Sequence, residues 1–135
     1  MSISQAMGTP IEVEIGGKAY KVSLITQKVK GGLEAACKAE VRNQIMADKD
    51  LLSGDEFRLA YGAFLDRIGS GEFGFGGELH RKWMASPSGL GAVVRLCFGL
   101  KEAEADALIQ EHPEEVGKVI EQVFAESFRI APAQQ

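Results

Sequence analysis

The chain has 135 residues, 45% hydrophobic and 25% charged, the make-up of an ordinary globular protein able to bury a core without disulfides or metals. Its 15 basic and 19 acidic side chains leave a net charge of −4, and the acid is concentrated late, with eight acidic and three basic residues between Lys101 and Arg129. Such a surface repels a phosphate backbone and argues against nucleic acid as a partner, while the absence of any apolar run near the roughly 20 residues of a membrane span argues against a membrane role.

Met1 to Pro10 is polar, with neither the basic start nor the apolar run of a secretory signal, so the expected location is the cytoplasm. Ile11 to Ile15 alternates apolar and charged side chains, Gly16-Gly17 can take the positive φ angles of a two-residue turn, and Lys18 to Val22 returns. This pairing sets Val13 opposite Tyr20, Ile11 opposite Val22 and Glu12 opposite Lys21, all favourable across strands. Two strands alone are marginal in water, so the hairpin, at about residues 11–23, must pack on helices.

From Thr26 to about Ala47, Val29, Leu33, Ala36, Cys37, Val41 and Ile45 form one helical stripe, with Gly31-Gly32 weakening its first turns enough that the helix could begin there. Ser53 and Glu56 make a capping box for a helix with the stripe Phe57, Ala60, Tyr61, Phe64, Leu65 and Ile68, stopping at Gly69. A short helix is expected from Glu78 to Ala85. Ser86-Pro87 then opens an apolar helix through Leu90, Val93, Val94, Cys97 and Phe98 that Gly99 ends. Glu102 to Gln110 follows, and Pro113 starts a last helix whose stripe is Val116, Val119, Ile120, Val123, Phe124 and Phe128. The expected fold is mainly α, an α+β arrangement of an N-terminal β-hairpin on a compact bundle of about five or six helices. It forms one domain over residues 1–130, with the helical part at about 26–129 and a disordered tail at 131–135.

Chemistry-bearing motifs are few. Gly69-x-Gly71-x-x-Gly74 matches the dinucleotide fingerprint in spacing and, with Phe73, the kinase glycine loop, but it follows a helix rather than a strand and lacks the lysine and aspartates of a kinase. The bland reading is a mobile interhelical loop. His80 and His112 have no partner at ligand spacing; His80 reads as a surface or boundary residue and His112 as a helix cap. No metal or other cofactor is therefore expected. Cys37 and Cys97 fall on apolar stripes, where a thiolate is disfavoured, and read as buried free thiols of a reducing compartment. No catalytic residue set emerges, and the chain reads as a non-enzyme. The glycine loop supports a bolder reading: Phe73 and Phe75, with Trp83 close behind, are large aromatics on permissive backbone, the composition of a partner-binding surface. Against it stands the alternative that both phenylalanines fold back as a satellite core.

The order of these features resembles the tail assembly chaperones of long-tailed bacteriophages, prophages and gene-transfer elements. The resemblance is carried by Ile11-Glu-Val-Glu-Ile-Gly-Gly-Lys-Ala-Tyr-Lys-Val22, by Ser23-Leu-Ile-Thr26 leading into a long helix, and by the loop Ile68-Gly-Ser-Gly-Glu-Phe-Gly-Phe75. Pro87-Ser-Gly-Leu-Gly-Ala-Val-Val-Arg-Leu96 and the acidic closing helices around His112-Pro-Glu-Glu-Val116 complete it, so that it spans about residues 11–126. It is a likeness of layout, without a catalytic signature. It implies a protein of the host bacterial cytoplasm that binds the tape measure protein, or another helical tail protein, and keeps it soluble while tail tube subunits assemble. The tail tube protein and a second copy of the chain are further partners compatible with that role. Helix-in-groove docking is the mode such a partner implies. Two other readings stand beside it: a virion structural or adaptor protein of the tail or head–tail region, and a small bacterial regulatory binding protein.

Overall fold

The computed structural model describes residues 9–128. It has the expected architecture, an N-terminal two-stranded antiparallel hairpin followed by six α-helices. The strands are β1 (Ile11–Ile15) and β2 (Lys18–Val22); the helices are α1 (Gln27–Ala47), α2 (Gly54–Ser70), α3 (Glu78–Met84), α4 (Pro87–Phe98), α5 (Glu102–Glu111) and α6 (Pro113–Ser127). The chain divides into two compact units, one formed by residues up to Gly31 and from Leu90 onward, the other by Gly32–Gly89. The tail expected at 131–135 lies outside the described residues.

In the first unit the hairpin has the expected register, Ile11 opposite Val22, Glu12 opposite Lys21 and Val13 opposite Tyr20. Gly16 and Gly17 both take positive φ, 59° and 80°, the requirement of the turn type whose twist matches paired strands. Gly16 is needed for a second reason: a Cβ there would lie 2.5 Å from Nε2 of His112, at the corner between α5 and α6. The Gly16 N–H also donates to Glu115 Oε2 at 3.3 Å. Further along, the Ser23 N–H donates to the Cys97 carbonyl at 2.7 Å, the Ile25 N–H to Ser127 Oγ at 2.8 Å, and Tyr20 meets Phe98 edge to face. One apolar face of the hairpin is thereby closed: Ile15 and Val22 are buried together with Val93, Val94 and Cys97 of α4, Ala105 and Leu108 of α5, and Val116, Val119, Ile120 and Val123 of α6.

Helix α1 begins at Gln27, ahead of the glycine pair, because the Thr26 hydroxyl accepts the Val29 N–H at 3.3 Å and so caps the first turn. Gly31 and Gly32 are carried inside it. In the second unit, a single 3-10 turn at Lys49–Leu51 precedes α2, whose start shows both halves of the capping box: Glu56 N–H to Ser53 Oγ at 3.1 Å and Ser53 N–H to Glu56 Oε1 at 2.9 Å. The helix runs past Gly69 because the left-handed cap falls on Gly71, at φ 81°. The start of α4 is as expected, with Ser86 Oγ accepting the Gly89 N–H at 3.2 Å. Gly89 has no alternative, since a Cβ there would sit 2.1 Å from the Trp83 carbonyl oxygen.

Candidate functional site

The glycine loop is tied down by its own backbone. Gly74 N–H donates to the Gly71 carbonyl at 3.0 Å and Gly77 N–H to the Gly74 carbonyl at 2.9 Å. The Phe75 N–H donates at 2.6 Å to Oε2 of Glu34, on α1. These amides are engaged, and the Glu34 carboxylate that accepts from Phe75 would repel a phosphate approaching the loop.

Two of the three aromatics expected to face a partner are interior residues. Phe73 is 1% exposed and meets Phe64 edge to face at 5.5 Å between ring centroids; Trp83 is 8% exposed. Phe75 alone is half-buried. The expectation of a docking surface formed by Phe73, Phe75 and Trp83 is therefore corrected for Phe73 and Trp83, which a partner cannot reach without opening the fold. The cause is the tightly turned loop, which directs Phe73 inward onto α2.

His80 also departs from expectation. It is completely buried, its ring 5.1 Å from Phe75 and 5.4 Å from Trp83. Neither ring nitrogen reaches a partner at hydrogen-bond geometry, and the same holds for the Trp83 indole N–H. Burial pushes the imidazole below its ordinary value of 6.5, with the Glu34 carboxylate and the nearby Leu33 carbonyl pulling the other way. Its charged neighbours in the sequence, Arg81 and Lys82, stay exposed because they lie on the other side of a helix that buries positions 80 and 83.

Both thiols are free and buried. Burial, with help from Glu40, raises Cys37 to about 11, and burial raises Cys97 to about 12, so neither carries a nucleophilic thiolate near neutral pH. Among the described residues, no group of three or more histidine, cysteine, aspartate or glutamate side chains is placed to hold a metal, and no helix is long and apolar enough to cross a membrane.

The surface feature missed in the sequence is α2. Of the stripe Phe57, Ala60, Tyr61, Phe64, Leu65 and Ile68, only Phe64 is buried; Leu65 is 51% and Ile68 36% exposed, and Phe57 and Tyr61 are half-buried. Phe57 and Tyr61 are stacked at 6.0 Å, and Tyr61 continues to Phe64 at 5.9 Å, so an aromatic column leads from the rim of the helix to the core. Leu51 and Leu59, neither on the stripe, are 83% and 75% exposed, and Met46 adds to the same stretch of chain. Apolar residues off the stripe were the available signal. No family model, curated protein or solved structure matches the chain.

Proposed function

We propose that this is a binding protein rather than an enzyme: a phage tail assembly chaperone that holds the tape measure protein soluble in the bacterial cytoplasm while the tail tube forms. The partner follows from the resemblance in layout. The observation that supports a chaperone of helices is the uncovered half of the α2 stripe, where Phe57, Tyr61 and Ile68 line one side of the helix and remain within reach of solvent. An amphipathic helix laid along that side would bury its own apolar face against side chains spaced at three and four residues. Phe57 and Tyr61 are anchored from below by Phe64, so they would act as firm contacts rather than floppy ones.

The experiment is coexpression with the tape measure protein, comparing wild type with an Ile68→Glu variant. Ile68 is already 36% exposed, so its replacement should cost the fold about 1 kcal/mol. Affinity should fall by about 1–3 kcal/mol if the strip carries the contact. A variant that solubilises the partner as well as wild type would move docking elsewhere. A wild-type protein that captures no tape measure protein, or that is retained in purified particles, would replace the chaperone reading with that of a tail adaptor.

A further inference from the structure

Beside the strip assigned to a helical partner, α2 has an outer face made of Asp55, Arg58, Leu59, Gly62, Leu65, Asp66 and Gly69, all recurring at three- and four-residue spacing. Six of these seven are exposed and Gly62 is half-exposed. Leu59 and Leu65 are the two large apolar members, at 75% and 51% exposure. Among the described residues nothing explains glycine at 62: a Cβ there would meet no atom within 4 Å, and the same is true at Gly54 and Gly69. Glycine is the poorest helix former after proline, so an exposed glycine in mid-helix is tolerated at a loss to the monomer. Its usual structural use is to let another backbone approach closely.

We infer that the chain pairs with a second copy of itself through this face, the two α2 helices running antiparallel and crossing at Gly62. The positions are self-complementary about that residue. Residue 62 is the midpoint of 58 and 66 and the midpoint of 59 and 65. A two-fold axis at Gly62 therefore brings each Arg58 level with Asp66 of the other copy, while Leu59 and Leu65 stand at the two edges of the seam. Opposite charges meet at both ends, which neither a parallel pairing nor a shift of one turn would give. Among the described residues Arg58 pairs with Asp55 at 2.9 Å, the two side chains being 80% and 88% exposed. A pair so open to water holds its members weakly. In the dimer each Arg58 lies between its own Asp55 and the facing Asp66. The two Gly62 backbones supply the close approach that lets the short Asp66 carboxylates meet Arg58 across the seam.

A seam of one helix against one helix sits at the small end of specific interfaces, below about 1,200 Å², so the association is weak and concentration-dependent. The pairing goes beyond the chaperone reading and stands or falls without it, since no tape measure protein enters its test. Sedimentation of the full chain from micromolar to millimolar concentration should show a monomer–dimer equilibrium. Gly62→Gln should raise the dissociation constant about tenfold or more while raising the melting temperature of the monomer, because glutamine is the better helix former and has open space at that site. That opposition of signs separates a lost interface from a damaged fold. Arg58→Asp and Asp66→Arg should each weaken the dimer to a similar degree, and the double exchange Arg58→Asp/Asp66→Arg should restore it. A chain that stays monomeric throughout overturns the pairing, as does a dimer indifferent to Gly62→Gln. A double exchange that fails to restore association overturns the antiparallel register. A monomer whose α2 face is protected only on adding an amphipathic helical peptide would assign that face to another partner.

Discussion

Helices α2 and α6 carry apolar stripes of the same period, yet they come to opposite ends. On α6, Val116, Val119, Ile120 and Val123 are all buried; on α2, Phe64 alone is. The contrast extends to the units around them. Among the described residues, the large exposed apolar side chains of Gly32–Gly89 are Met46, Leu51, Leu59, Leu65 and Ile68, whereas the other unit exposes Phe128. Periodicity records that a helix has an apolar side; it does not record what covers that side. A stripe kept apolar while half of it faces water is a surface feature with a use, and it is on α2 that both the proposed partner and the proposed second copy are placed.

The comparison can be tested with one substitution made twice. Ile120→Ala on α6 should cost about 2–5 kcal/mol, because the lost side chain leaves a cavity in a closed core. Ile68→Ala on α2 should cost about 1 kcal/mol or less, since much of that side chain already meets solvent. Urea unfolding of both variants reads the difference, and equal losses would mean that α2 is covered in solution. Two glycines give a smaller contrast of opposite sign. Gly16→Ala should destabilise by about 1–2 kcal/mol or more, through its left-handed backbone and the clash with His112. At low concentration, Gly62→Ala should stabilise by about 0.5–1 kcal/mol. Thermal melts of the two variants should move apart, not together.

The smallest expected effect is one of pH and falls within the Gly32–Gly89 unit, which holds both His80 and Glu56. His80 is held neutral with a folded pKa below 6.5. Above 6.5 neither folded nor unfolded chain protonates it and its contribution is complete; as the pH falls below 6.5 the unfolded chain binds the proton more readily, and stability is lost. The window between 6.5 and 4.5 isolates this group from Glu56, whose carboxylate is lowered from 4.5 by its Ser53 hydrogen bonds and loses its contribution only at lower pH. His80→Phe should flatten the stability profile across that window. An unchanged slope would show that the histidine is not buried neutral in solution.

What could be read in the sequence was what rests on neighbours along the chain. The hairpin register followed from pairing Ile11 with Val22 about a two-glycine turn, and the starts of α2 and α4 from Ser53, Glu56 and Ser86-Pro87. The end of α2 was misplaced by two residues because Gly69 and Gly71 look alike in sequence and only the second adopts positive φ. The interior of the glycine loop was not legible, since it depends on Glu34 reaching Phe75 across 41 positions. His80 was partly legible: its spacing of three from Trp83 places both on one side of a helix, and the adjacent Arg81 and Lys82 masked that pattern. The exposed side of α2 was invisible for a different reason, because burial is decided by which elements arrive to cover a stripe and not by the stripe.

The seat of the hairpin turn has a consequence for synthesis on the ribosome. Gly16 is held by Glu115, 99 positions later, and fits against His112 of the same corner. A two-stranded hairpin has little stability of its own, so β1 and β2 cannot settle until that corner has been translated. At ordinary elongation rates of 5–20 residues per second this is a delay of about 5–20 s, during which the alternating apolar strand edge of the nascent chain stays open. The hairpin, translated ahead of all six helices, is thus among the last elements to be fixed, and a truncation before α6 would leave its strand edges exposed and aggregation-prone.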